Sequence, residues 1–204
     1  TIAAMKQRKW GRIINLASNY GVAGTPRRAD YVSTKHGLVG LTKVVALEAS
    51  TGKVVWTKAV ENYNNGYYMT MAPLAARGKI MVGVSGGERG IRGFVVALDA
   101  VSGELVWKTY TIPGPGEPGN DTWPGDSWQT GGAPVWITGS FDAKLGLTYW
   151  GTGNPGPWTG DQRPGDNLYT NSVVALDVET GALKAHHQYH WNDSWDWDEV
   201  AAPL

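Results

Sequence analysis

The stretch Ala97–Trp107, ALDAVSGELVW, returns twice in this chain: as ALEASTGKVVW at Ala46–Trp56 and as ALDVETGALKA at Ala175–Ala185, where alanine stands in place of the tryptophan. Each copy carries a Val-Val-Ala-Leu run into an acidic residue and a Thr-Gly or Ser-Gly turn, and a second strand pattern follows. Apolar β-branched runs joined by a glycine turn are a β-hairpin signature. The copies start 51 and 78 residues apart. A period of about 40–50 residues is that of propeller blades. The longer interval predicts an inserted loop, and the Gly/Pro-rich Ile112–Gly125, IPGPGEPGNDTWPG, is its expected place.

Composition agrees with a turn-rich β protein. The 204 residues include 28 glycines without a collagen period and 11 tryptophans, bulky side chains that must be packed or used. Lys plus Arg equals Asp plus Glu at 18 each, so there is no basic footprint for nucleic acid. No cysteine is present, which excludes disulfides, zinc–thiolate sites and cysteine nucleophiles. No apolar run approaches the roughly 18 residues of a membrane span. The opening TIAAMKQRKWGR does not read as an export signal, basic and then apolar.

The neutral total conceals two unlike segments. Residues 1–48 carry eight Lys/Arg and two Asp/Glu; residues 49–204 carry ten and sixteen, with ten of the tryptophans. This asymmetry divides the chain into 1–48, a short α/β strand-helix fragment, and 49–204, a partial propeller of about three blades, mainly β. In the first segment, Gly11–Ser18 reads as a buried strand, and Ala29 to about Leu47 has helical spacing at Val32, Leu38, Leu41 and Val45. Residues 44–48 belong to both readings, as a helix end and as a blade strand, so a local conflict is expected at the junction.

On that helix Tyr31 and Lys35 are i and i+4 and share a face. A lysine ammonium lowers a neighbouring phenol's pKa and fits it to exchange a proton with an alcohol or ketone. Ser18, at the strand end, could hydrogen-bond the same oxygen. WGRIINLASNYGV (Trp10–Val22) and YVSTKHGLVGLTKVVALE (Tyr31–Glu48) resemble the short-chain dehydrogenase/reductase family, in its 3-hydroxybutyrate dehydrogenase branch. The resemblance implies Ser18 as substrate-oxygen donor, Tyr31 as acid/base and Lys35 as activator and ribose contact. Arg28 and Tyr20 stand where that branch often has a substrate-binding lysine and a histidine. The family's glycine-rich NAD turn is missing. GVSGGERGIRG (Gly83–Gly93) leads into the strand pattern FVVALD instead of a helix, so it is no dinucleotide fingerprint, and NAD is not expected as a cofactor.

From about residue 44 onward the chain resembles the pyrroloquinoline quinone (PQQ)-dependent alcohol dehydrogenases of the methanol/ethanol type, whose blades dock through the repeat Ala-x-Asp-x-x-Thr-Gly-x-x-x-Trp. The resemblance implies an eight-bladed propeller with the quinone on its axis beside a hard cation. Within MTMAP it implies that Thr70 contacts the quinone. Within VSGGE it places Ser85, Gly86 and Gly87 beside the cofactor and makes Glu88 a metal ligand. In GGAPVW it puts Trp136 under the quinone ring, with Pro134 and Val135 where threonine is usual. In GTGNP it makes Asn154 an amide ligand. In WNDSWDWDEV it makes Asp196 the general base and a metal ligand, while Trp191-Asn192-Asp193 replaces the usual Pro-His-Asp. Asp198, two residues on, points to the same side if the segment is strand-like, and the resemblance associates it with a lanthanide. An added carboxylate suits a 3+ charge, so a lanthanide ion is favoured over Ca²⁺. The implied substrate is a small primary alcohol, the electron acceptor a cytochrome c, and the compartment the periplasm.

The remaining conspicuous residues have plainer readings. Trp56 and Trp107 dock blades and Trp150 packs. Asp99 and Asp177 are turn residues. His186, His187 and His190 form a surface run, and the triplets at Asn120 and Asn192 match glycosylation sequons by chance. An open arc of blades leaves edges for self-association. The expectation is a fusion of two partial frames that turns over little or not at all. The alternatives are an NAD-dependent short-chain enzyme fragment and a non-catalytic β-repeat scaffold.

Overall fold

The computed structural model describes residues 43–48 and 51–199. Ser18, Tyr20, Arg28, Tyr31 and Lys35, with the strand and most of the helix predicted before residue 43, lie outside the described residues. Within them the chain forms three antiparallel sheets. The first is a hairpin of β1 (Lys43–Leu47) and β2 (Val54–Ala59); the second holds β3 (Leu74–Ala76), β4 (Lys79–Gly83), β5 (Phe94–Asp99) and β6 (Leu105–Tyr110). The third holds β7 (Ser140–Asp142), β8 (Leu147–Gly151), β9 (Ser172–Asp177) and β10 (Leu183–Gln188). Both four-stranded sheets pair only sequence neighbours. They are two whole blades, and the hairpin is part of a third.

The helix expected to reach Leu47 is corrected here: Lys43–Leu47 is a strand, paired with β2 from Lys43–Ala59 to Leu47–Val54. The competing pattern prevails because Val44, 6% exposed, enters a core with Ile80, Val82, Val84, Ile91, Phe94, Val96 and Leu98. Packing of this kind outweighs a marginal helical periodicity.

β5 shows why its run FVVALD is apolar throughout. Phe94, Val96 and Leu98 face the hairpin's core. Val95 and Ala97 point the other way, into a second core with Met81, Trp107, Val135, Trp150, Val174 and Leu176. A strand with sheets on both sides has no polar face to alternate with.

The repeated turn supplies the joint between sheets. The Trp107 indole donates from Nε1 to the Val178 carbonyl at 3.1 Å and lies against the turn of the next copy, where a Cβ on Gly181 would stand 2.6 Å from Trp107 Cδ2. Trp56 does the same one sheet earlier, with Ala100 O at 3.2 Å and Gly103 beneath the ring. Both glycines also have positive φ, so the position needs glycine for backbone and for space. Ala185 brings no indole to the third copy.

Asp99 Oδ1 accepts hydrogen bonds from Ser102 N, Ser102 Oγ and Val101 N, and Asp177 Oδ1 from Thr180 N, Thr180 Oγ1 and Glu179 N. The donors, led by the Ser102 and Thr180 amides, hold both carboxyls below the usual 3.8. A depressed carboxyl stabilises the fold fully above its unfolded pKa and loses that contribution as pH falls through the folded value. The double variant Asp99→Asn/Asp177→Asn keeps an acceptor oxygen but cannot titrate. Its melting temperature is therefore expected to fall less steeply than that of the unaltered chain below about pH 4, which a melting series in acid buffers checks.

The predicted insertion is ordered. It contains a 3-10 turn at Asn120–Thr122, and Trp123 is buried with Ile112 and Ala133, its indole donating to Leu168 O at 2.5 Å. Arg92 ties its start through Nε and Nη2 to the Ile112 carbonyl at 2.8 and 2.6 Å. Among the described residues, no helix is long and apolar enough to cross a membrane.

Candidate functional site

β4 and β8 are the second strands of the two complete blades, and each delivers a polar residue just past its end: Ser85 and Asn154. The stretches before β3 and after β10 return to the same place. Together they line a cleft of about 270 Å³. Thr70, Ser85, Gly86, Gly87, Glu88, Trp136, Asn154, Asp196 and Asp198 all lie on its wall. The residues singled out across more than 120 positions thus share one cavity, and Tyr68, Pro134 and Trp158 complete it.

On one side, Thr70 Oγ1 donates to the Trp136 carbonyl at 2.9 Å and lies 2.9 Å from Ser85 Oγ. Each hydroxyl has one proton, so Ser85 is the donor of the second bond, and both residues line the cleft. Gly86 is obligatory: its φ is +118, and a Cβ there would meet the Gly66 carbonyl oxygen at 2.3 Å. Val135 is fully buried against Gly83, so it gives the cleft no hydroxyl in place of the usual threonine, and Pro134 lines the wall instead.

On the other side stand the carboxylates. Asp198 Oδ1 accepts from the Asn154 backbone N–H at 2.8 Å, and Asn154 Nδ2 donates to Asp196 Oδ1 at 2.5 Å. Burial first, and the charge of Asp196 besides, push the Asp198 carboxyl above its ordinary value; hydrogen bonds from Asn154 and the Trp136 side chain oppose this. Glu88 Oε1 accepts from the Tyr68 hydroxyl at 2.8 Å, and burial followed by the Glu88 charge raises the Tyr68 phenol well above its usual range.

A hard cation would relieve this crowding. The donor set, three carboxylates and an amide, has the chemistry for Ca²⁺ or a lanthanide. It is not drawn together as a finished cage: among the described residues no three His, Cys, Asp or Glu side chains are grouped closely enough to hold an ion. Asn154 presents its nitrogen to Asp196, so coordination requires that amide to turn.

The strand-like reading of the Asp196 segment is corrected. Residues 191–199 form no strand, and Asp196 has φ +65. Asp196 and Asp198 nevertheless reach one cleft, through a turn whose peptide N–H groups bond a side chain. His186 and His187 are exposed and His190 half-buried, and none joins a metal group. Asn192 Nδ2 donates to Arg163 O, Gly165 O and Asn167 Oδ1, and Asn120 Nδ2 to Pro113 O.

Tyr68 and Trp158 escaped sequence reasoning. Trp158, 49% exposed, lies four residues past Asn154, and that proximity was its only signal. Tyr68 lies two before Thr70, a spacing that has meaning only once the loop is placed.

Residues 57–204 match the family model of the PQQ glucose/ethanol/alcohol dehydrogenase β-propeller domain. The chain belongs to this family. It is 43% identical to the quinoprotein alcohol dehydrogenase PedH of Pseudomonas putida, over 78% of this chain and 29% of that one. It is 36% identical to the methanol dehydrogenase [cytochrome c] subunit 1 of Methylorubrum extorquens, over 77% and 28%. A solved europium-containing methanol dehydrogenase superposes with a TM-score of 0.74 at 39% identity, over 78% of this chain and 31% of that one. The chain thus spans under a third of the length of these PQQ-dehydrogenase relatives. Residues 1–66 match the short chain dehydrogenase family model, a range that includes the β1–β2 hairpin. Both components of the sequence resemblance, and the mainly β partial propeller, are therefore found.

Proposed function

We propose that this chain carries the metal-and-quinone quarter of a PQQ-dependent alcohol dehydrogenase acting on a primary alcohol. One observation carries the reading: Glu88, Asn154, Asp196 and Asp198 line a single cleft with the Trp136 indole. Trp136 offers a flat apolar face to the quinone, while Thr70 and Ser85 offer polar edges. When bound, the quinone takes hydride and the cation polarises one of its carbonyls as a Lewis acid. Asp196 takes the alcohol proton. Asp198 brings the extra negative charge that favours a lanthanide over Ca²⁺. A cytochrome c is the proposed acceptor and the periplasm the proposed compartment. Ser18, Tyr31 and Lys35 are proposed as a vestigial short-chain set.

A propeller's axial site is walled by all its blades, and the described residues supply two whole ones. Binding without sustained turnover is the expected behaviour. In a thermal-shift panel, PQQ with La³⁺ or Ca²⁺ raises the melting temperature, by the equivalent of about 2.7 kcal/mol at a hundredfold excess over the dissociation constant. NAD leaves it unchanged. Failure of PQQ and both ions to shift the melt overturns the assignment. Robust dye reduction with an alcohol, lost in Asp196→Asn, overturns the lack of turnover.

A further inference from the structure

Asp196 reaches the cleft from a segment with no ladder to hold it, in a left-handed conformation that few non-glycine residues adopt. Two residues outside the cleft account for this. Asp193, 1% exposed, accepts the backbone N–H of Trp195 on Oδ1 and that of Trp197 on Oδ2, each at 3.1 Å. These are the two residues flanking Asp196, so one carboxylate pins the peptide chain on both sides of it. Behind Asp193 stands Arg163, fully buried. Its Nη2 donates to the Asp193 carbonyl and, at 3.2 Å, to the Trp158 carbonyl. Its Nε donates to Pro157 O at 2.7 Å, and its Nη1 to Asn167 Oδ1 at 2.7 Å.

A buried guanidinium is an expensive way to fill space; an apolar side chain of similar volume is often at least as stabilising. Burial drives the Arg163 pKa down to about 10, with Asp193 opposing. What the guanidinium does that an apolar chain cannot is join three strands of irregular backbone at fixed distances: Pro157–Trp158, Asn167 and Asp193. Two of these carry cleft residues onward, Trp158 on one and Asp196 with Asp198 on the other.

We propose that Asp193 and Arg163 are positioning residues, a buried carboxylate and guanidinium that together set where Asp196 and Asp198 stand in the cleft. The proposal rests on the reading of those two aspartates as ion ligands. Second-layer groups of this kind orient the atoms that touch an ion without touching it themselves.

The test uses the full 204-residue chain with Tb³⁺ as probe, its luminescence excited through the nearby tryptophans. Asp193→Asn removes one of the two acceptors, and Arg163→Lys removes the planar fork. Each is expected to weaken Tb³⁺ about ten- to a hundredfold. Val174→Ala, a core change in the third sheet, lowers stability without weakening Tb³⁺, which separates positioning from general loss of fold. Hydrogen exchange on the unaltered chain adds a readout that needs no variant: the Trp195 and Trp197 amides exchange slowly although both side chains are exposed. Unchanged Tb³⁺ affinity in both variants, or free exchange at both amides, overturns the proposal. Absence of saturable Tb³⁺ binding by the unaltered chain overturns the ion reading instead, while the amides still report whether Asp193 pins the loop.

Discussion

Asp198→Asn is expected to weaken La³⁺ binding by more than about a hundredfold and Ca²⁺ binding by about thirtyfold. The substitution keeps the shape and an acceptor oxygen for the Asn154 amide, which now donates to Asp198 Oδ1 at 2.8 Å, and removes only the charge. Coulomb attraction scales with the product of charges, so a carboxylate contributing about 2 kcal/mol toward a 2+ ion contributes about 3 toward a 3+ ion at the same distance. With a tenfold change for each 1.4 kcal/mol, the two losses differ by about fivefold. Titration of the chain with each ion, with and without the substitution, checks this. Equal losses for both ions would sink the charge argument, and no loss for either would remove Asp198 from the ligand set. Burial and the neighbouring Asp196 push the Asp198 carboxyl upward, and a cation beside it would offset both.

The second large effect concerns the joint between blades. Trp107→Ala is expected to cost about 3–5 kcal/mol of unfolding free energy, the range for deleting a large buried aromatic. Trp107 is 7% exposed and belongs to the core that joins the second and third sheets. Its removal opens a cavity over Gly181 and leaves the Val178 carbonyl without its indole donor. Such a loss is a large part of the roughly 5–15 kcal/mol that holds a domain together. Trp56→Ala, at a half-buried indole with the same partners one sheet earlier, is expected to cost less. Urea unfolding followed by circular dichroism measures both. A loss below about 1 kcal/mol at Trp107 would mean that something else joins the sheets.

The hairpins were legible because their cause is local. A β-branched run, an acidic residue whose carboxylate accepts from the Thr or Ser three positions on and a glycine at positive φ dictate a turn where they occur together, and all three copies are strand pairs. The junction was not legible. Lys43–Leu47 satisfied two periodicities, and only the burial of Val44 among side chains from β4 and β5 decided between them. From the sequence, Asp196 and Asp198 share a side only if their segment is strand-like, and it is not. Asp193 binds the peptides on both sides of Asp196 in an irregular segment, and a side-chain-to-backbone bond of that kind leaves no periodic trace.

By itself the order of residues determined the repeat, the turns and the tryptophan joint, since each depends on neighbours a few positions apart or on chemistry carried within one side chain. Convergence was decided only in three dimensions. Glu88, Asn154 and Asp198 share a cleft because sheets that bury both faces must stack, and stacking brings the ends of equivalent strands together. The placement of Asp196 depends on a contact 30 residues apart, between Arg163 and Asp193, and on the Asp193 carboxylate beside it. Those contacts exist only after the packed core has fixed the positions of the loops.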